Sequence, residues 1–206
     1  MSALIVPTLE GEFFRLRELV VGDAASLQRY ADDKAVWFNL FEGFPSPYTM
    51  ADATAWCDAR SRSPTMGYVW GIECEGQIIG CISIRPDAGW LRCNAEVGYW
   101  IGRPYWMRGI VSAALKEVSG WAWEALPDLT RIYAPIFARN AGSQAVAKSC
   151  GFEQEGVFKK SAIKAEEVID RTQWALLRSS RALARPPRDG WTEAFAADPD
   201  NENRDK

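Results

Sequence analysis

The sequence predicts an α/β (α+β) domain in which a mixed central β-sheet is flanked by helices, and three observations lead there. Two β-rich runs joined by a tight-turn dipeptide make part of the sheet antiparallel. After them, β-rich and helix-periodic runs alternate as β-α-β-α-β, an order that produces parallel neighbours. A hydrophobic content of 48%, with nine Phe and ten Trp, supplies enough apolar surface for a real core. A chain of 206 residues fits one large domain better than two small ones.

The elements follow in order. "EFFRLREL" (12–19) alternates in part and reads as a first strand. "GDAASLQRYADD" starts a helix with Asp23 as its expected N-cap. The loop "FEGFPSPYT", rich in Pro and aromatic residues, precedes a second helical stretch, "MADATAWCDARS". "GYVWGIEC" and "QIIGCISI" are strands, and Glu75-Gly76 between them is a hairpin turn. "LRCNAEVGYWIG" is a further strand ended by Arg103-Pro104, and a helix opens from "PYWMRGIVSAAL". "TRIYAPIF" (strand), "NAGSQAVAKSC" (helix), "GFEQEGVFKK" and "VIDRTQWALLR" (strands) complete the domain, expected to cover residues 1–181. Residues 182–206 are rich in Pro, Asp and Asn and read as a poorly ordered tail.

Composition excludes several classes of function. A net charge of −3 argues against a protein that coats nucleic acid or an anionic membrane. No basic segment leads an apolar run at the start, and no apolar stretch reaches spanning length, so the expectation is a soluble cytoplasmic protein. The five cysteines form no CxxC pair and read as small buried apolar residues in a reducing compartment. There is no histidine. A Ser-His-Asp or Cys-His nucleophile is therefore excluded, and no metal site is expected from the remaining ligand spacing. Proton transfer has to use Glu, Asp, Tyr, Ser, Lys or water.

The stretch from Pro104 to Leu115 has the outline of an anion-holding turn. A helix N-terminus offers unpaired N–H groups and a positive dipole end. Arg108 adds charge, Gly109 lets the backbone approach a ligand, and Ser112, Ala113 and Ala114 keep the first helical turn uncrowded. The same residues also fit an ordinary helix start with an exposed arginine.

"AEVGYWIGRPYWMRGIVSAAL" resembles the segment of the GNAT acetyltransferases in which a strand runs through a short loop into a pyrophosphate-binding helix, nearest to the RimJ/RimL group. Trp106, Arg108, Gly109, Ser112, Ala114 and Leu115 fit that group's turn, whereas Met107 and Val111 replace a glycine and a Gly or Ala. "ARNAGSQAVAKSCGFEQEG" is similar to the family's second block at Asn140, Ser143, Gly151, Phe152 and Gly156. "FEGFPSPYTMADATAW" resembles the group's substrate-side loop and helix.

The resemblance implies a GNAT fold and an acetyl-CoA-dependent N-acetyltransferase using direct transfer in a ternary complex. The coenzyme A pyrophosphate would sit at Trp106, Met107, Arg108, Gly109, Ile110, Val111 and Ser112. The pantetheine arm would lie beside a splayed strand, with Asn140 bonding it and Tyr99, Trp100 and Ile101 at a family bulge where a backbone N–H meets the thioester carbonyl. Glu96 matches the glutamate that other members use as general base, and an acid among apolar strand positions favours such a role over the alternative of a structural ion pair. Ser143 matches a serine placed to protonate the thiolate, and it is also a first-turn cap. Trp37, Phe41, Phe44 and Tyr48 line the acceptor side or cap the first helices.

An α-amine, with pKa ~7.7–8.0, is roughly a quarter neutral near pH 7.4, against about one part in a thousand for lysine. A protein or peptide N-terminal amine therefore asks least of a carboxylate base. A polyamine, an aminoglycoside, and a non-catalytic acyl-CoA-binding module remain alternatives, as do a monomer and a homodimer.

Overall fold

The computed structural model describes residues 5–58 and 66–178; the expected tail at 182–206 lies outside the described residues. In chain order the elements are β1 (Leu9–Glu10), β2 (Arg15–Arg17), α1 (Ala24–Ala31), α2 (Lys34–Trp37), α3 (Met50–Cys57), β3 (Tyr68–Cys74), β4 (Gln77–Pro86) and β5 (Asn94–Ile101). Then come α4 (Ile110–Ala125), β6 (Arg131–Phe137), α5 (Ala141–Ser149), β7 (Glu153–Lys164) and β8 (Glu167–Leu177). The strands form one mixed sheet of eight, in the order β1-β2-β3-β4-β5-β6-β8-β7. Every neighbouring pair is antiparallel except β5 with β6.

The β3–β4 hairpin forms as expected: Glu75 (φ 51) and Gly76 (φ 74) both sit in the left-handed region that a two-residue turn requires. Thr49 and Asp52 make a capping box at the start of α3. Strand alternation then sorts β5 between two cores. Ala95, Val97 and Ile101 pack with Ile110, Val111, Ala114, Leu115 and Val118 of α4. Trp100, on the opposite face, packs with Leu27, Phe44, Tyr48 and Ala53 of the α1–α3 layer. Glu96 and Gly98 share that second face by the same period of two.

Three sequence expectations are corrected. The first strand is shorter than 12–19, because pairing with β3 covers only Arg15–Arg17, and it gains a short partner in β1. Asp23 stands at the N-cap position of α1 as expected, but its side chain makes no cap hydrogen bond there. Its carboxylate instead takes two hydrogen bonds from Arg17 (2.8 and 2.9 Å) and one from the Val20 N–H (2.9 Å). The long helix opens at Ile110 within the expected stretch, after a separate 3-10 turn at Arg103–Tyr105. Finally, the β4–β5 ladder keeps one register from Pro86↔Ala95 to Gly80↔Ile101, so Tyr99, Trp100 and Ile101 lie on a regular strand rather than at a bulge.

The Arg17–Asp23 pair ties β2 to α1, with Glu73 of β3 as a further acceptor for Arg17 at 3.0 Å. Burial opposes ionisation of Asp23, but the Arg17 guanidinium and the Val20 N–H together hold its carboxyl below the usual range. A lowered folded value means that the unfolded chain binds more protons. This contribution is complete above the ordinary aspartate value of ~3.9 and fades as pH falls through the depressed value. Asp23→Asn should lower stability by about 1–3 kcal/mol near neutral pH, read by denaturant unfolding, with a smaller difference near pH 3.

Candidate active site

Strands β5 and β6 pair only at Asn94↔Arg131, Ala95↔Ile132 and Glu96↔Tyr133. Beyond Glu96, β5 continues to Ile101 on β4 alone; beyond Tyr133, β6 continues to Phe137 on β8 alone. The two strands thus part like a fork, and the backbone edges of residues 97–101 and 134–137 face one another without a ladder between them. Pro135, which has no N–H, stands two residues past the last pair, where a central strand would otherwise need a donor. Such edges are open hydrogen-bonding groups that an extended ligand arm can satisfy.

At the open end of the fork β5 leads through residues 102–109 into α4. Trp106 Nε1 donates to the Ile101 carbonyl at 2.7 Å and the Gly102 N–H to Ile79 at 2.8 Å, so the connection is pinned back on the sheet. A Cβ on Gly102 would lie 2.8 Å from the Tyr30 ring. Gly109 is the N-cap of α4 at φ 76, with no side-chain cap and nothing within 4 Å of where a Cβ would sit. The first turn of α4 is therefore left open to an anion.

Of the two departures from the RimJ/RimL pattern, one side chain lies in solvent and the other in the core. Met107 adopts φ 60 and carries its side chain fully into solvent, while Val111 and Ile110 are buried in the α4 core. Arg108 lies 5.3 Å from the Tyr105 ring centroid, and the Ser112 hydroxyl meets that of Ser149 at 3.1 Å.

Asn140 caps α5, its Oδ1 accepting from the Ser143 N–H at 3.1 Å. The Tyr99 hydroxyl donates to the Ser143 carbonyl at 3.1 Å, tying the start of α5 to the β5 arm of the fork. Burial pushes the Tyr99 phenol up to about 12, so it stays a neutral donor. Ser143 is half-buried in the first turn of α5, beside Tyr99.

On the other face of the sheet, the α1–α3 face, a row of charge crosses the fork apex. Glu96 accepts from Arg85 at 2.5 Å, its cross-strand neighbour on β4. Tyr133, opposite Glu96 on β6, reaches both oxygens of Asp87 at 3.3 Å. Burial, reinforced by Glu96 and Asp87, pushes the Tyr133 phenol up to about 12. Arg131 lies 4.9 Å from the Tyr133 ring and pairs with Glu155. One step along β5 is Gly98, where an added Cβ would meet only the Ser83 Oγ at 3.6 Å. The floor above the fork is open there.

The four aromatic residues assigned to the acceptor side divide. Phe44 stacks on Tyr48 (4.9 Å) and meets Trp100 edge-on (6.0 Å), and both Phe44 and Tyr48 are buried. Trp37 donates to the Phe44 carbonyl at 3.0 Å, and Lys164 lies 3.8 Å from its ring centroid. These three build the wall behind Trp100, while Phe41, 59% exposed, offers surface. Arg85, Asp87 and Tyr133 escaped the sequence reading. The alternation in "SIRP" and "TRIYAPIF" placed polar groups on one face, but only cross-strand register brings them to Glu96.

Among the described residues, the five cysteines form no disulfide. Among the described residues, no group of three or more His, Cys, Asp or Glu is placed to hold a metal, and no helix is long and apolar enough to cross a membrane.

A fork between parallel strands, an open helix N-terminus at its mouth and a carboxylate at its apex make up the candidate site. The model of the acetyltransferase (GNAT) domain matches residues 14–153. The chain belongs to that family and is an N-acetyltransferase. It is 29% identical over 157 residues to the uncharacterized N-acetyltransferase YoaA of Bacillus subtilis, covering 75% of this chain and 87% of that one. RimJ of Mycobacterium smegmatis, solved with CoA-disulfide, superposes with a TM-score of 0.70 at 25% identity, over 80% of this chain and 81% of that one. RimL, the ribosomal L7/L12 α-N-protein acetyltransferase solved with coenzyme A, has a similar fold, with a TM-score of 0.72 at 19% identity over 83% and 98% of the two chains.

Proposed function

We propose that the protein moves an acetyl group from acetyl-CoA to the N-terminal α-amine of a protein or peptide, in one ternary complex. The observation that carries this reading is the position of Glu96. It stands at the fork apex, on the face opposite α4, beside the open floor at Gly98. RimL and RimJ, which share the fold, were solved with coenzyme A or its disulfide, and RimL acts on a ribosomal protein α-amine.

Acetyl-CoA supplies an acetyl group activated as a thioester. In this reading the N–H groups of the first α4 turn and Arg108 hold the pyrophosphate. The unpaired edge of residues 97–101 receives the pantetheine arm, and a backbone N–H on that edge holds the oxygen that becomes an anion as the amine adds. The amine comes from the α1–α3 side over Gly98. Glu96 Oε2 is taken by Arg85, so Oε1, directly or through one water, accepts the amine proton. As the new C–N bond forms and the C–S bond breaks, the Ser143 hydroxyl gives a proton to the departing sulfur and takes one back from water, while Glu96 releases the amine proton to solvent, so that the net transfer is one proton from nitrogen to sulfur. The Tyr99 and Tyr133 phenols, both pushed up to about 12, act as fixed donors and not as bases.

Coenzyme A at one hundred times its dissociation constant should add ~2.7 kcal/mol of stability, measured as a thermal shift with calorimetric binding. No shift and no heat at millimolar ligand would remove the cofactor from the account. Thiol release that needs both acetyl-CoA and a free peptide amine separates an enzyme from a binding module.

A further inference from the structure

Register maps the acceptor side of the fork beyond Gly98. Counting on from the last pair, Glu96↔Tyr133, sets Gly98 against Pro135 and Trp100 against Phe137 across the gap of the fork. Across from Phe137 stands Arg171 on β8, and across from Arg171 stands Phe158 on β7. Thr172 and Trp174 are buried on the α4 side, so Arg171 projects to the acceptor side. Its guanidinium lies 5.4 Å from the Phe158 ring centroid. Arg139, just past the end of β6, lies 3.6 Å from the Phe38 ring and 5.6 Å from that of Phe137, and it donates to the Phe38 carbonyl at 3.0 Å. Two guanidinium groups and three Phe rings therefore form the far wall of the cleft.

These cations are poorly matched by the protein itself. The Nε atoms of Arg139 and Arg171 are shielded from solvent and have no hydrogen-bond partner. Among the described residues Arg171 has no ion pair. The acid nearest Arg139 is Glu167, at 3.8 Å and 70% exposed. Asp170, next in sequence to Arg171, is taken by the Lys159 ammonium and the Lys160 N–H, both at 2.8 Å. Lys164, fully buried beside Trp37, adds a third positive charge with Glu42 3.9 Å away. A buried donor without an acceptor asks for one, and the planar guanidinium fork fits a carboxylate.

We propose that this wall is a subsite for an acidic side chain near the N-terminus of the acceptor, seated against Arg139 and Arg171. The inference rests on the peptide α-amine reading above. From the floor at Gly98 to the Phe137 level is about 7 Å along the strands, and β8 lies at least two strand spacings of about 4.8 Å from β5, a path of about 12 Å. Two to three extended residues and the length of an acidic side chain cover that path, so the carboxylate belongs on the second or third residue behind the amine-bearing one. The same wall repels polycations, which sets polyamine and aminoglycoside acceptors at a disadvantage.

The test uses the full chain, acetyl-CoA and three peptides that share an N-terminal serine. They differ at the next three positions, which are Asp/Glu, the isosteric Asn/Gln, or Lys. Wild type should prefer the acidic peptide over its amide twin by about tenfold or more in kcat/KM, carried mainly by KM. Arg171→Gln should bring that ratio to within about twofold, and Arg171→Glu should turn it towards the Lys peptide. Because each ratio is internal to one variant, a change in the folded fraction cannot imitate the result. Acidic and amide peptides acetylated equally well by wild type would overturn the subsite and leave the α-amine reading standing. No acetylation of any of the three would overturn both.

Discussion

Glu96→Gln should lower turnover by about two to four powers of ten while leaving coenzyme A affinity close to that of the wild-type protein. The substitution keeps the size of the side chain and an oxygen for Arg85, which holds Glu96 at 2.5 Å, but removes the group that accepts the amine proton. There is no histidine in the chain, and the nearby phenols of Tyr99 and Tyr133 are both pushed up to about 12. The other acids of this charged row are engaged elsewhere, Asp87 by the Tyr133 hydroxyl and Glu155 by Arg131. The result is measured as kcat between pH 6 and 9 together with calorimetric binding of coenzyme A. Rates within about twofold of wild type across that range would assign the Arg85–Glu96 pair to structure alone.

Gly98→Val should reduce kcat/KM for the acceptor by about a hundredfold, because an amine displaced by about an ångström no longer meets the thioester carbon in line. The strand itself tolerates a side chain here. A Cβ on Gly98 meets only Ser83 Oγ at 3.6 Å, and valine favours a strand. Coenzyme A binding, which uses the strand edge and the α4 turn, should survive. The two affinities therefore separate: acceptor KM rises and kcat falls while the coenzyme A dissociation constant moves little. Loss of coenzyme A binding in this variant would place the pantetheine arm over the strand face and contradict the geometry of approach.

Local signals carried much of this architecture into the sequence. The Glu75-Gly76 hairpin, the alternating order after it and the turn at Trp106–Ser112 are each written in a few neighbouring residues, and all are present. Glu96 stood out for the same reason, as an acid among apolar strand residues. Features set by long-range register did not show. The fork depends on β5 staying on β4 and β6 on β8, about forty residues further on, once their mutual pairing ends at Glu96↔Tyr133, and Pro135 is its local trace. Resemblance placed a bulge at Tyr99–Ile101, yet β5 runs there in unbroken register with β4. Asp23 looked like a helix cap because it precedes "AASLQRYA", and only the fold brings Arg17 close enough to claim it. The aromatic loop was ambiguous in the same way. Phe44 and Tyr48 are wall because Trp100 is there to receive them, and Trp37 is covered by a lysine more than a hundred residues further on.

The central claim is acetyl transfer to a peptide α-amine, and thiol release from acetyl-CoA measured against pH tests it most directly. The substrate is a Ser-initiated peptide, compared with the same peptide carrying a blocked N-terminus and with spermidine. The account predicts release with the free peptide alone, rising with pH and levelling off above ~8, where an α-amine is mostly neutral. Glu96→Gln should lower the whole profile. Acetylation of the blocked peptide, or of spermidine without the free peptide, with a rate still climbing towards pH ~10, would contradict it.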